Sequence, residues 1–275
     1  MIDMHIHTIN SDGENTVSEI IKLLKNNNIN IFSITDHDNI DSCLQIENIQ
    51  LPSDMIFMSG VEFSAKLNNY KCHILGYNID YNKQCIINEC KTIKERRTKK
   101  IHAIINNLYN NFGINITKEE KNKILNKQGV LGRTDLYKIL LNKIHTSKTE
   151  IYDKYLTVPD GFDHRSSAKH IVDIIHNSNG KAILAHPKEI ETDYNICFEQ
   201  IIKLFLNIGI DGIETFNSIH ELNDVKRYLE LAKKYNLLTT GGSDYHGTNI
   251  RPEVKIGHTT TKKIKIYPNH INFHK

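Results

Sequence analysis

Residues 1–13 read MIDMHIHTINSDG. Apolar and polar residues alternate through the first seven. Ile2, Met4 and Ile6 fall on one side, Asp3, His5 and His7 on the other. This is strand periodicity, and residues two apart in a strand share a face. His5 and His7 therefore project together, shortly before Asp12. An isolated His-X-His is often only a pair of hydrogen-bonding residues, so its meaning depends on what the other strands carry.

Seven segments read as strands: MIDMHIH, IFSITDHD, MIFMSGVEFS, CHILGYN, AILAHP, GIETF and LLTTGGSD. Nearly all end in His, Asp or Glu. Helical patterns lie between many of them. Thr16 with Glu19 three residues on is a capping-box signature, followed by Ile20, Leu23 and Leu24 at helical spacing. SSAKHIVDIIHNSNG, FEQIIKLFLNIG and DVKRYLELAKKYN are further amphipathic stretches. Strands joined by helices predict an α/β fold with a parallel sheet. If that sheet closes into a barrel, its C-terminal strand ends meet at one mouth, where catalytic residues collect. His5, His7, His37, Glu62, His73, His186, Asp244 and His246 would converge there, with Asp12 from the first loop.

The rhythm changes in the middle of the chain. KTIKERRTKKIHAIINNLYNNFG reads as one long amphipathic helix stopped at Gly113, and VLGRTDLYKILLNK as another. Strand signals are scarce there. We read 88–166 as a helical insertion and 1–87 with 167–275 as the α/β barrel domain.

Bulk composition excludes several classes. The chain has 275 residues, 39% hydrophobic and 24% charged, with a net charge of +3; that is ordinary for a globular protein and demands no nucleic-acid partner. The Lys/Arg run of KTIKERRTKK reads as a solvated helix face. No apolar run approaches the roughly 18 residues that span a membrane, and no secretory leader is seen. Five cysteines without a Cys-X-X-Cys look like reduced thiols. A cytoplasmic enzyme without a stable protein partner is the expectation. The 15 histidines are the unusual feature.

At least five histidines and several carboxylates at one mouth are too much charge to gather without cations, because unpaired buried charges are costly. Imidazole and carboxylate without thiolate suit Mn, Fe or Zn. Nine candidate ligands exceed what one ion takes, so two or three divalent ions are implied. Clustered metals are suited to phosphoester hydrolysis, because they generate hydroxide near neutral pH and neutralise phosphoryl oxygens.

HIHTINSDG, SITDHD, VEFSA, HILGYNID, ILAHP and TGGSDYHG resemble, in order and spacing, the successive motifs of the PHP (polymerase and histidinol phosphatase) superfamily. Within it the chain is most similar to the TrpH/YciV-type phosphoesterases. That branch includes nucleoside 3′,5′-bisphosphate phosphatases and the 5′-to-3′ exoribonuclease called RNase AM. The resemblance implies a distorted (β/α)7 TIM-like barrel holding three metal ions, with Mn expected. His5, His7, Glu62 and Asp244 would hold the first ion. Glu62 would bridge to a second, held also by His73 and His186. Asp12, His37 and His246 would hold the third. A metal-activated hydroxide would then attack the phosphorus of a small nucleotide or of the 5′ end of a short RNA.

Other residues follow from the same resemblance. Arg133 matches a Gly-Arg motif and would clamp a substrate phosphate. His220 would lie near the substrate as phosphate ligand or acid, with Ser218 beside it. Independently of the resemblance, Asp36 and Asp38 flank His37 and are expected to orient histidines. His102, His145, His164, His170, His176 and His258 fit no motif and read as surface or structural. One departure stands out: Arg133-Thr134-Asp135 replaces the usual Arg-Pro-His, and a carboxylate facing a phosphate would repel it unless it is protonated or turned away. Val17 stands where a proline is usual, which Thr16 capping makes harmless. The alternatives are a small-metabolite phosphatase, such as one acting on histidinol phosphate, and a non-catalytic PHP module.

Overall fold

Thr16 caps the first helix as its capping box requires. Its side chain accepts from the Glu19 amide while the Glu19 carboxylate accepts from the Thr16 amide. The computed structural model describes residues 1–158, 162–259 and 264–266; residues 267–275, assigned above to the barrel domain, lie outside the described residues. Helix α1 (Val17–Asn26) buries Val17, Ile20, Ile21 and Leu24. It packs over a parallel three-stranded sheet, β1 (Ile2–Asp3), β2 (Ile31–Phe32) and β3 (Ile56–Phe57). Helix α2 (Asp41–Glu47) lies between β2 and β3 in the chain.

A six-stranded sheet forms the other half. It contains β4 (Gly60–Leu67), β5 (Tyr70–Tyr77), β6 (Ser166–Ser167), β7 (Lys181–Leu184), β8 (Gly212–Phe216) and β9 (Leu238–Gly241), in the order β6-β4-β5-β7-β8-β9. Helices α7 (Ala168–Asn177), α8 (Pro187–Tyr194), α9 (Phe198–Asn207) and α10 (Leu222–Lys234) follow its strands, and a short antiparallel pair, β10 (His258–Thr259) and β11 (Ile264–Lys265), comes last.

Two expectations need correction. The large sheet is mixed, because β5 runs antiparallel to both β4 and β7. The cause is the tight turn at Asn68, which takes a left-handed backbone (φ 52) that asparagine tolerates, and so makes β4 and β5 a hairpin. His73 consequently enters the site from the first half of its strand. Second, among the described residues the ladders form two main sheets and the short β10–β11 pair, with no closed barrel. The sheets do meet edge to edge. Met4 donates to Gly241 O (3.2 Å), His7 to Tyr245 O (2.9 Å) and Asp244 to His5 O (2.9 Å) on one side; Asp38 donates to Glu62 O (2.8 Å) on the other.

Helix α3 (Gln84–Phe112) belongs to two cores. Its Ile86 and Ile93 join the main core with Phe63, Ile171 and Phe198, whereas Ile101, Ile104, Ile105 and Leu108 pack with Ile124, Leu136, Leu140 and Leu156. That second core contains α4 (Lys118–Leu125), α5 (Arg133–Leu140) and the turn formed by α6 (Lys148–Glu150) running into a π-helical stretch, Ile151–Tyr155. Among the described residues no helix is long and apolar enough to cross a membrane.

Gly242 sits where the sheets meet. A Cβ there would lie 2.2 Å from His5 Cβ and 2.3 Å from His5 N. Gly242→Ala should therefore cost about 1–3 kcal/mol, the range for overpacking, and lower the melting temperature in calorimetry. An unchanged melting temperature would contradict this close approach.

Candidate metal centre

The chain after β1, β2, β7 and β9, together with β4 and β5, brings all nine candidate ligands to one place. Glu62, fully buried on β4, stands at the middle. Its Oε2 lies 3.2 Å from His5 Nε2, 3.1 Å from His7 Nε2 and 3.1 Å from His37 Nδ1. Its Oε1 lies 3.0 Å from His73 Nδ1 and 3.0 Å from His186 Nε2. Asp244 Oδ1 approaches His5 and His7 at 3.4 and 3.2 Å. Asp12 Oδ1 is 3.3 Å from His246 Nε2, and its Oδ2 is 3.9 Å from His37 Nε2. His5–His7–Asp244, His37–Glu62–His73 and His7–Asp12–His37–His246 each gather ligand atoms closely enough for one ion.

Several of these residues sit at backbone kinks. Asp244 (φ 56) and His186 (φ 21) have positive φ, as does Asp38 (φ 50). Such conformations cost energy for non-glycine residues and cluster at functional sites. Here they turn side chains at strand ends inward.

Further acceptors orient the imidazoles, among them Glu189, which also groups with His73 and His186 closely enough for an ion. His5 Nδ1 donates to Glu214 Oε1 (3.0 Å), and Glu214 Oε2 accepts from the His186 amide and from Asn217. His186 Nδ1 donates to Glu189 (2.9 Å), and His246 Nδ1 donates to Asp244 O (2.9 Å). Arg251 holds Asp244 Oδ2 at 2.6 Å. Each bond fixes a tautomer, leaving the other nitrogen or oxygen for the centre. Glu214 and Glu189 were not singled out in the sequence. Glu214 within GIETF, near the end of that strand, was the available signal; nothing local marks Glu189.

The donor set fits divalent cations. Glu62 Oε2, Asp12 Oδ1 and His37 Nδ1 are buried without a hydrogen-bond partner, a cost of about 1–3 kcal/mol per group if nothing else satisfies them. Burial opposes ionisation of Glu62, yet His37, His5 and His73 hold its carboxyl well below the usual range. Burial likewise opposes the charge on His7, but Asp244 and Glu62 hold it up to about 10, while burial drives His37 down to about 4. The cluster thus holds its carboxylates ionised and keeps a proton on His7, which a bound cation would have to displace.

Asp36 and Asp38 do not touch histidines. Asp36 accepts from Thr8, Ser11 and Ser42 and so braces the loop that carries Asp12. Asp38 pairs with Arg97 and accepts from the Ser64 amide. His220 is 1% exposed, its Nδ1 donating to Thr215 O and its ring against Tyr228. Neither His220 nor Ser218 lines the cavities beside the ligands; Ser218 faces a separate one with Arg251 and His258. Arg133 does line a neighbouring cavity of about 310 Å³, together with Arg97, Lys100, His164 and Arg165. This cavity reaches Asp12, His37 and His73. His164, read above as surface or structural, is 4% exposed and 3.4 Å from Lys100 Nζ. The run KTIKERRTKK is thus not wholly a solvated face, since Arg97 and Lys100 turn inward.

Asp135 is turned away from the centre. Its carboxylate accepts from the Gly132 amide (2.9 Å) and from Lys127 Nζ (2.9 Å). It caps its own helix and does not line the cationic cavity beside the centre.

Glu214→Gln keeps the shape but weakens the acceptor for His5. Metal affinity measured by calorimetric titration should fall about 10–100-fold; unchanged affinity would remove Glu214 from the orienting set.

Residues 3–238 match the PHP domain family. Three relatives align over most of their length: a 3′,5′-nucleoside bisphosphate phosphatase of Chromobacterium violaceum (26% identical, 94% of this chain and 91% of that one), a phosphoribosyl 1,2-cyclic phosphate 1,2-diphosphodiesterase of Eggerthella lenta (28%, 89% and 94%), and the 5′-3′ exoribonuclease Rnm of Escherichia coli (26%, 89% and 84%). A solved structure described as an amidohydrolase from Chromobacterium violaceum, with sulfate and no metal, shares the fold at a TM-score of 0.79 (24% identical, 97% of this chain and 92% of that one). The match over most of the chain, whose nine candidate ligands gather at one centre, shows that this protein belongs to the PHP domain family.

Proposed function

We propose that this chain, a metal-dependent phosphoesterase of that family, hydrolyses a nucleoside 3′,5′-bisphosphate, holding one phosphate at the metal centre and the other in the adjoining cationic cavity. The observation that carries this reading is the pair Lys100 and Arg133. Among the described residues, neither has a carboxylate within salt-bridge distance, and both line the cavity that shares Asp12, His37 and His73 with the centre. Arg97 and Arg165 are already paired, with Asp38 and Asp163. Two cations with no carboxylate partner among the described residues, beside a candidate metal centre, suit a substrate with two phosphates.

Three ions would be held as the family resemblance implies: by His5, His7, Glu62 and Asp244; by Glu62, His73 and His186; and by Asp12, His37 and His246. Manganese is the ion we expect. Such ions, when bound, neutralise phosphoryl oxygens and ease ionisation of water. The chain orients His5 through Glu214, His186 through Glu189 and Asp244 through Arg251. Arg133, resting on the Tyr152 ring at 5.3 Å, fixes the second phosphate with its planar fork of donors.

A phosphodiester substrate is the second reading. A cavity of about 600 Å³, bounded by Ile9, Ile124 and Ile139 and lined by both carboxylates (Glu14, Glu120, Asp135) and lysines (Lys123, Lys127, Lys138), shares Asp12 and Thr134 with the cationic one. It offers room for a chain longer than one nucleotide, such as the 5′ end of a short RNA. A histidinol phosphate would leave Lys100 and Arg133 without a second anion, and a non-catalytic module would have no need of all nine ligands.

Phosphate release with Mn²⁺ from adenosine 3′,5′-bisphosphate should be fast and abolished by His7→Ala, and much slower from AMP and histidinol phosphate. Stepwise mononucleotide release from 5′-phosphorylated RNA would favour the second reading. Turnover of histidinol phosphate alone would refute both.

A pH test follows from Lys100. Burial, then Arg165, Arg133 and Arg97, push its ammonium down to about 7, against the weaker pull of Asp163. The cation is therefore present below neutral pH and lost above it. The ratio of kcat/KM for the bisphosphate to that for p-nitrophenyl phosphate should fall about tenfold between pH 7 and 9. In Lys100→Met that ratio should be low and flat; a pH-dependent ratio in the variant would exclude Lys100 as the cause.

A further inference from the structure

The metal ligand Asp12 and the phosphate-binding Arg133 lie on different parts of the molecule. Asp12 belongs to the loop after the first strand, and Arg133 begins α5 in the helical insertion. Catalysis by positioning needs the two held to a fraction of an ångström. The segment 127–130 joins them. Val130 donates its amide to Asn10 O (3.2 Å), and Gln128 Nε2 donates to Asn10 Oδ1 (2.8 Å). Gly129, at φ +86, passes so near Asn10 that a Cβ would lie 2.1 Å from its carbonyl oxygen. Lys127 Nζ donates to Ser11 O (2.8 Å) on one side and to Asp135 Oδ1 (2.9 Å) on the other. Asp135 Oδ2 in turn accepts from Gly132 N, the residue before Arg133.

We propose that Lys127 is a positioning residue that ties the phosphate-binding end of α5 to the metal-bearing loop, through Ser11 O and Asp135. The inference rests on the two-phosphate reading above. It gives the Asp in Arg133-Thr134-Asp135 a role: that carboxylate is the receiving end of the tie. Lys127 touches no ligand side chain, so its loss should leave the metal centre intact and misplace only Arg133.

The test is a comparison of Lys127→Met, Lys127→Arg and wild type, each loaded with Mn²⁺, on adenosine 3′,5′-bisphosphate and on p-nitrophenyl phosphate. Lys127→Met should raise KM for the bisphosphate about tenfold and change kcat/KM for p-nitrophenyl phosphate less than twofold. Metal content should be unchanged, and Lys127→Arg should restore most of the bisphosphate KM. Equal losses on both substrates, or no loss on either, would overturn the proposal. A wild type that prefers the bisphosphate, with a Lys127→Met variant that keeps that preference, refutes the tie alone. A wild type without the preference refutes the two-phosphate reading and the tie with it.

Discussion

One buried carboxylate organises this molecule. Glu62 has no solvent exposure and five imidazoles within 3.2 Å of its two oxygens, from His5, His7, His37, His73 and His186. A buried carboxylate is tolerable only when its charge is met. Histidines alone meet it poorly: they repel one another when protonated, and Glu62 Oε2 still lacks a hydrogen-bond donor. Divalent cations resolve both problems. The strand ends converge so that those cations have ligands, and the two sheets meet at their edges so that the strand ends can converge.

The surrounding polar groups serve this arrangement at increasing distance. Glu214, Glu189 and Arg251 fix His5, His186 and Asp244. Asp36 braces the loop of Asp12 through Thr8, Ser11 and Ser42. Asp3 is buried and accepts from Ser243 and from the Gly257 amide, tying the first strand to the last segment of the fold. The helices between β5 and β6 line one side of the cationic cavity with Arg97, Lys100 and Arg133. They have a separate apolar core, while α3 runs unbroken into the main one.

The convergence of the nine candidate ligands was legible in the sequence because strand geometry is periodic and metals demand particular donors. The alternation through His5 and His7, and the polar residues closing later strands, required no knowledge of distant contacts. The reversal of β5 was hidden, since Asn68 and Asn69 are short turn residues in a chain rich in asparagine. The second sheet was hidden as well, because strands of two residues such as β1 and β2 give no sign of which edge they pair with. Glu214 and Glu189 act only through partners distant in sequence or across a helix turn. Arg97 and Lys100 sit inside a run of like charges, and only the direction of each side chain distinguishes them from Lys99, which no local pattern reveals. Asp135 looked like a threat to phosphate binding because its partner, Lys127, lies before the helix it caps.

The most direct measurement is phosphate release from adenosine 3′,5′-bisphosphate after exhaustive chelation, with Mn²⁺ added back stepwise. The structure around Glu62 predicts no release from the chelated protein and recovery on adding Mn²⁺, with more than one ion bound per chain at full activity. Full activity in the chelated protein, or recovery complete at one ion per chain, would contradict the clustered metal centre on which everything above depends.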